Sequence, residues 1–213
     1  MDFEDSITIT TPPFDSVQVN PLIIKEVTGL YPTKVSAVFV PGSIDQLQDF
    51  MQKTQSPISI GGGRFSMGGQ IAAKDSIHID MRGLNQIKNL DVKNRIISVE
   101  SGVRWRDIQH VIDEHNLAIK IMQTYSDFTV GGSISVNCHG RYIGLGPLIM
   151  SIRQLKIMLH NGRIVETSHE IEPELFYSVV GCYGAAGIIL EAELDLVENT
   201  RVERTRKNIK TEE

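Results

Sequence analysis

The chain has 213 residues, 41% hydrophobic and 22% charged, enough for one large domain or two small lobes, each with a real core. Its formal net charge of −5 argues against nucleic acid as the main partner, because a phosphate-reading surface needs a basic excess. Two cysteines, Cys138 and Cys182, make no disulfide framework, the acidic start Met1–Asp5 lacks the features of a signal peptide, and no apolar run reaches membrane-spanning length. A soluble protein of the cytoplasm is the expectation.

Residues 1–31 are rich in Thr and Pro and weakly periodic, and read as an extended arm. Val35–Val40 is a short apolar strand ending at Pro41-Gly42. Ser43 then opens a helix as its cap, with Gln46 three residues on and Ile44, Leu47, Phe50 and Met51 on the buried face. Ile58–Ile60 is a strand running into Gly61-Gly62-Gly63-Arg64-Phe65-Ser66-Met67-Gly68-Gly69-Gln70. Ile77, Ile79 and Met81 alternate with Ser76, His78 and Asp80, the pattern of a half-buried strand.

Arg95–Glu100 is a further strand, and Trp105, Ile108, Val111 and Ile112 mark an amphipathic helix ending near Asn116. A strand at Ala118–Ile121 leads to a second glycine region, Thr129-Val130-Gly131-Gly132-Ser133-Ile134-Ser135, of which Thr129–Gly132 is read as a loop. Asn161-Gly162 between Leu155–His160 and Arg163–Glu166 predicts a hairpin with positive φ at both turn positions. Pro173 starts a short helix through Val180, and Gly181–Gly187 feeds a long alternating strand, Ile188–Val197. The tail from Arg201 is charged and has no apolar face. Hairpins mixed with crossovers define an α+β fold.

The chemistry lies in the glycines. A loop with glycines at 61, 62, 63, 68 and 69 directly after a strand can curl unshielded amides around a phosphate, and Arg64 can add a charge-assisted contact. No Walker sequence is present. Gly61-x-Gly63-x-x-Ser66 with Asp80 downstream imitates a nicotinamide fingerprint, but a strand follows where that motif needs a helix. Three separated glycine clusters suit a long ligand such as a dinucleotide. No metal-binding constellation stands out.

The segments Gly-Gly-Gly-Arg-Phe-Ser-x-x-Gly-Gln (61–70), Thr-Val-Gly-Gly-Ser-Ile-Ser (129–135), Asn-Gly-Arg-Ile-Val (161–165) and Gly-Ala-Ala-Gly-Ile-Ile (184–189) carry a resemblance. Together they resemble the PCMH-type FAD-binding domain of the vanillyl-alcohol-oxidase / p-cresol-methylhydroxylase superfamily, nearest its aldonolactone, alditol and decaprenylphosphoryl-ribose oxidase branch. The resemblance implies a domain over residues 32–199, built as two α+β lobes (about 32–82 and 83–199) with FAD between them, and a charged tail at 200–213.

It further implies that Gly61, Gly62, Gly63, Arg64, Phe65 and Ser66 hold the FAD pyrophosphate. Thr129, Gly131, Gly132, Ser133, Ser135, Gly187 and Ile188 would line the rest of the flavin. Many relatives attach the flavin to a histidine where this chain has Phe65, and doubly linked ones to a cysteine where it has Tyr125, so noncovalent FAD is expected. His139 is the candidate catalytic residue, orienting a substrate hydroxyl or stabilising reduced flavin; the competing reading has it merely bonding backbone beside Gly140.

Relatives of this kind carry a second, substrate-binding domain, which the sequence does not display; it would be missing here or in another polypeptide. The implied activity is oxidation of a sugar, polyol or aldonolactone CH–OH group by hydride transfer to flavin. A non-catalytic flavin-binding module and an FAD-dependent reductase are the alternatives.

Overall fold

The computed structural model describes residues 22–203, 205 and 206; most of the N-terminal arm and the end of the charged tail lie outside the described residues. The end of the arm is part of the fold. Strand β1 (Ile23–Ile24) pairs antiparallel with β2 (Thr33–Lys34), and Ile24 is buried beside Val35 and Ile71.

Three short strands then form a parallel sheet: β3 (Ala37–Phe39), β4 (Ile58–Gly61) and β5 (Ile77–Asp80), with β5 in the centre. Between β3 and β4 runs helix α1 (Ile44–Lys53), capped by the Ser43 side chain, which accepts from the Gln46 N–H. Gln46 returns its carbonyl to the Gly42 N–H at 2.9 Å, one residue before the cap, so the expected box closes in a slightly wider form.

The half-buried reading of β5 needs correction: Ser76, His78 and Asp80 are buried along with Ile79. A central strand of a parallel sheet is covered on both faces, so its polar residues stay only because each finds partners.

The second sheet is antiparallel, with strands β6 (Ile87–Asp91), β7 (Ile96–Glu100), β8 (Leu117–Ile119), β9 (Ile152–Met158), β10 (Ile164–Ser168) and β11 (Ile188–Glu198). Its order is β10-β9-β11-β7-β6, and β8 extends the pairing at the far end of β11. The alternating run after Gly187 thus becomes the central strand. Its inward side chains, with Trp105, Ile108 and Ile112 of helix α2 (Trp105–Asp113), build the main core.

The hairpin between β9 and β10 forms, but only Gly162 has positive φ (80°). The Gly162 N–H reaches the Leu159 carbonyl at 2.9 Å, which makes a tight turn ending in one left-handed residue instead of the two expected. The segment read as the loop Thr129–Gly132 instead opens a short helix α3 (Val130–Ser135) capped by Thr129. Helix α4 (Pro173–Val179) starts at Pro173 as expected.

A smaller apolar cluster joins the two sheets, with Leu47 and Met51 of α1, Ile79 of β5 and Met81 packed on Met158, Ile188 and Leu190. The chain turns between β7 and α2 through Ser101-Gly102. A Cβ on Gly102 would stand 2.2 Å from the Met81 carbonyl oxygen and 2.5 Å from that of Leu84. Gly102→Ala is therefore expected to cost about 3 kcal/mol, read as a lower urea midpoint with an unchanged slope.

Candidate functional site

One cleft opens where the loop after β4, helix α3 and the turn into β11 meet. Every position expected to hold the cofactor lines it: Gly61, Gly62, Gly63, Arg64, Phe65 and Ser66 from the first loop, Thr129, Gly131, Gly132, Ser133 and Ser135 from the second, Gly187 and Ile188 from the third.

His139 is not part of that lining. It is exposed, its backbone bridges to Pro147, and its Nδ1 lies 2.9 Å from the Gly140 carbonyl oxygen. This is the geometry of the backbone-bonding reading.

The glycines of the first loop have more than one cause. A Cβ on Gly61 would lie 2.7 Å from the His78 ring, and one on Gly62 only 2.3 Å from Thr129 Oγ1. In the second loop a Cβ on Gly131 would lie 2.7 Å from the Ser101 Cβ. Close approach of the protein to itself excludes side chains at these positions, whatever the loop holds.

What the first loop leaves free is its amides. The Gly63 N–H goes to Thr129 Oγ1 at 3.3 Å, while those of Gly62, Arg64, Phe65 and Ser66 have no acceptor among the described residues. Arg64 sits at φ 64°, a left-handed conformation uncommon for a side-chain-bearing residue, and bends the loop at its middle. Helix α3 differs. The Val130 N–H bonds the Val103 carbonyl, that of Gly131 the Ser101 carbonyl, and that of Gly132 the Thr129 hydroxyl. Its first amides are already taken.

Arg64 is not the free cation expected. Its Nη2 donates to Asp80 Oδ2 at 2.9 Å, and Asp80 also receives Arg82 Nε at 2.8 Å. Burial would raise the Asp80 carboxyl, but the hydrogen bonds of Arg82 and the charges of both guanidiniums outweigh it and hold the group below the usual carboxylate range. The acid that imitated a ribose-binding residue is a structural anchor. Arg64 Nε, which is buried, and the buried hydroxyl of Ser101 both lack partners, and both residues line the cleft. Free amides, an orphaned guanidinium nitrogen and an orphaned hydroxyl fit a phosphate- and carbonyl-bearing ligand.

The walls are aromatic and apolar. Phe65 and Phe128 meet edge to face with centroids 4.8 Å apart, and Tyr125 touches both, at 5.2 Å from Phe65 and 5.5 Å from Phe128. The two positions that the resemblance assigns to flavin links, Phe65 and Tyr125, are thus occupied by rings in contact. Ser101, Gln123 and Phe128 line the cleft without having been singled out in the sequence. Ser101-Gly102 directly after a strand carried a weak signal for close approach; Gln123 carried none. Among the described residues no group of three or more His, Cys, Asp or Glu has metal-holding geometry, and no helix is long and apolar enough to cross a membrane.

Comparison with known proteins agrees with the geometry. The family described as "FAD binding domain" matches residues 35–168, so the chain belongs to that family. The PCMH-type resemblance drawn from the motifs holds, and FAD is the cofactor of the family. The chain is 28% identical over 171 residues to L-gulonolactone oxidase of Bos taurus, covering 78% of this chain and 38% of the relative. It is 28% identical over 174 residues to cytokinin dehydrogenase 4 of Oryza sativa subsp. japonica, covering 76% and 33%. To mitochondrial L-galactono-1,4-lactone dehydrogenase 2 of the same plant it is 26% identical over 120 residues, covering 56% and 21%. The chain therefore matches only 21% to 38% of the length of these relatives.

Beneath the cleft lies a titratable group. His78 is fully buried under Gly61, and its Nδ1 is 3.2 Å from Ser59 Oγ. Ser76 donates to the Ala73 carbonyl, so Ser59 donates to Ser76 and accepts from His78 Nδ1–H, leaving Nε2 as a bare lone pair without a partner. Burial, with the Arg64 and Arg82 charges and against that of Asp80, pulls the imidazole down to about 4. A depressed histidine favours the folded state in its neutral form, so its contribution is whole above pH 6.5 and is lost as pH falls from there towards about 4. Wild type is expected to lose on the order of 2 kcal/mol more than His78→Gln between pH 7 and pH 4.5, measured by urea unfolding.

Proposed function

We propose that this chain is the FAD-holding part of an oxidoreductase that removes hydride from a CH–OH carbon of a sugar, polyol or aldonolactone. The observation that carries this reading is the convergence of all three glycine segments on one cleft with unbonded amides at its loop and aromatic rings along its wall. When bound, FAD supplies the two-electron acceptor. The amides of Gly62, Arg64, Phe65 and Ser66 hold its diphosphate, Arg64 adds charge, and Thr129, Gly131, Gly132, Ser133, Ser135, Gly187 and Ile188 pack along the rest.

The flavin is held noncovalently, since Phe65 and Tyr125 offer neither an imidazole nor a thiol at the linking positions. The lactone class is favoured by the names of two relatives, an L-gulonolactone oxidase and an L-galactono-1,4-lactone dehydrogenase. Cytokinin dehydrogenase 4 matches at equal identity, so substrate choice rests on residues beyond the cofactor cradle. A substrate-binding domain, on the same polypeptide or a partner, completes the enzyme. His139, exposed and bonded to its neighbour's carbonyl, takes a catalytic role only if that domain or the substrate draws it in. The free cysteines suit a reducing cytoplasmic setting.

Purified protein incubated with FAD is expected to turn yellow and, after acid precipitation, to leave the colour in the supernatant. A yellow pellet would contradict noncovalent binding, and a colourless protein that takes up no FAD would defeat the reading. Turnover of L-gulonolactone with a dye acceptor tests the substrate class.

A further inference from the structure

The indole of Trp105 is fully buried and stands outside the cleft lining, yet it begins a hydrogen-bond relay that ends there. Indole N–H is a donor only, and Trp105 Nε1 donates to Ser133 Oγ at 2.9 Å. Ser133 Oγ lies 3.3 Å from Gln123 Oε1. Cys138 lies in hydrogen-bond contact with the same hydroxyl and with the Gln123 backbone N–H. Burial pushes the Cys138 thiol up to about 11, so it stays protonated and keeps a hydrogen to give.

The assignment in which the Ser133 hydroxyl donates to Gln123 Oε1, as the geometry has it, satisfies every member. The Gln123 backbone N–H points to the Cys138 sulfur, and the thiol and the indole both donate to Ser133 Oγ. Both lone pairs of that hydroxyl are then filled, and its own hydrogen goes to Gln123 Oε1. The side-chain amide is therefore anchored by its carbonyl. Its Nε2, with two hydrogens, has no partner among the described residues, and Gln123 lines the cleft.

We propose that Gln123 is a cofactor-positioning residue that offers its NH₂ end to an acceptor atom of the flavin, of the carbonyl or ring-nitrogen kind, and that Trp105 fixes this polarity through Ser133. The inference rests on the FAD reading above. An amide free to flip offers lone pair to lone pair half the time; one held by the relay does not.

The test is FAD titration of the full chain by flavin fluorescence, with urea unfolding of each variant without FAD as the control for fold. Gln123→Met is expected to bind FAD about 10-fold more weakly, the loss of one hydrogen bond. Gln123→Glu is expected to bind more weakly still, because a carboxylate turns only acceptors towards an acceptor. Trp105→Phe is expected to weaken binding although it never touches the cleft, and combined with Gln123→Met to add nothing further.

A general structural role for these residues lowers stability but does not order Glu below Met or make the pair non-additive. Should Trp105→Phe fail to fold, Ser133→Ala takes its place, with the same non-additive loss expected. Wild-type affinity in both Gln123 variants overturns the proposal, as does full additivity in the double variant. Failure of the wild-type chain itself to bind FAD would instead defeat the functional reading.

Discussion

The hydroxyl of Thr129 is the point on which the cleft depends. It is buried, it accepts from the Gly63 N–H at 3.3 Å and from the Gly132 N–H at 3.4 Å, and it fills the space a Gly62 side chain would need. One oxygen thereby caps helix α3 and pins the loop after β4 against it. The parallel sheet and the antiparallel sheet each carry half of this contact, so their mutual placement at the cleft is set there as well as by the apolar seam of Leu47, Ile79 and Met158. Because the cap is a side chain reaching into a second loop, its removal opens the site and frays the helix together.

From that contact follows a division of labour among backbone amides. Those at the start of α3 are satisfied within the protein, which makes the helix a wall and not an anion site. Those of Gly62 and of Arg64 to Ser66 in the first loop are left over, beside an orphaned Arg64 Nε. Buried or half-buried donors without partners are costly, and a fold keeps them where a ligand completes them. Asp80 and His78, directly beneath, hold the loop from below with neutral or paired groups, so that polarity is available at the cleft face and spent elsewhere.

Much of this was legible in the residues. The alternation of Ile188–Val197, the Ser43 cap and the Asn161-Gly162 hairpin each rest on local rules, and each element formed. Local rules failed where tertiary contacts decide. Alternation in Ser76–Met81 suggested one wet face, yet ion pairs and a serine relay let both faces of β5 be covered. Val130–Ser135 contains two glycines and two serines, poor helix formers, and is helical because Thr129 caps it and the surrounding core holds it. Gln123 has no motif at all; its place in the cleft depends on Trp105 and Ser133, distant in sequence. His139, next to a motif along the chain, stands outside the cleft lining with its Nδ1 against the Gly140 carbonyl.

The most direct test is hydrogen exchange at single residues, followed with and without FAD. The amides of Gly62, Arg64, Phe65 and Ser66 should exchange rapidly in the free protein and become strongly protected when FAD binds. Those of Val130, Gly131 and Ser133, already bonded, should be slow in both states. Protection that appears elsewhere on FAD binding while residues 62–66 stay unchanged would contradict the placement of the cofactor in this cleft.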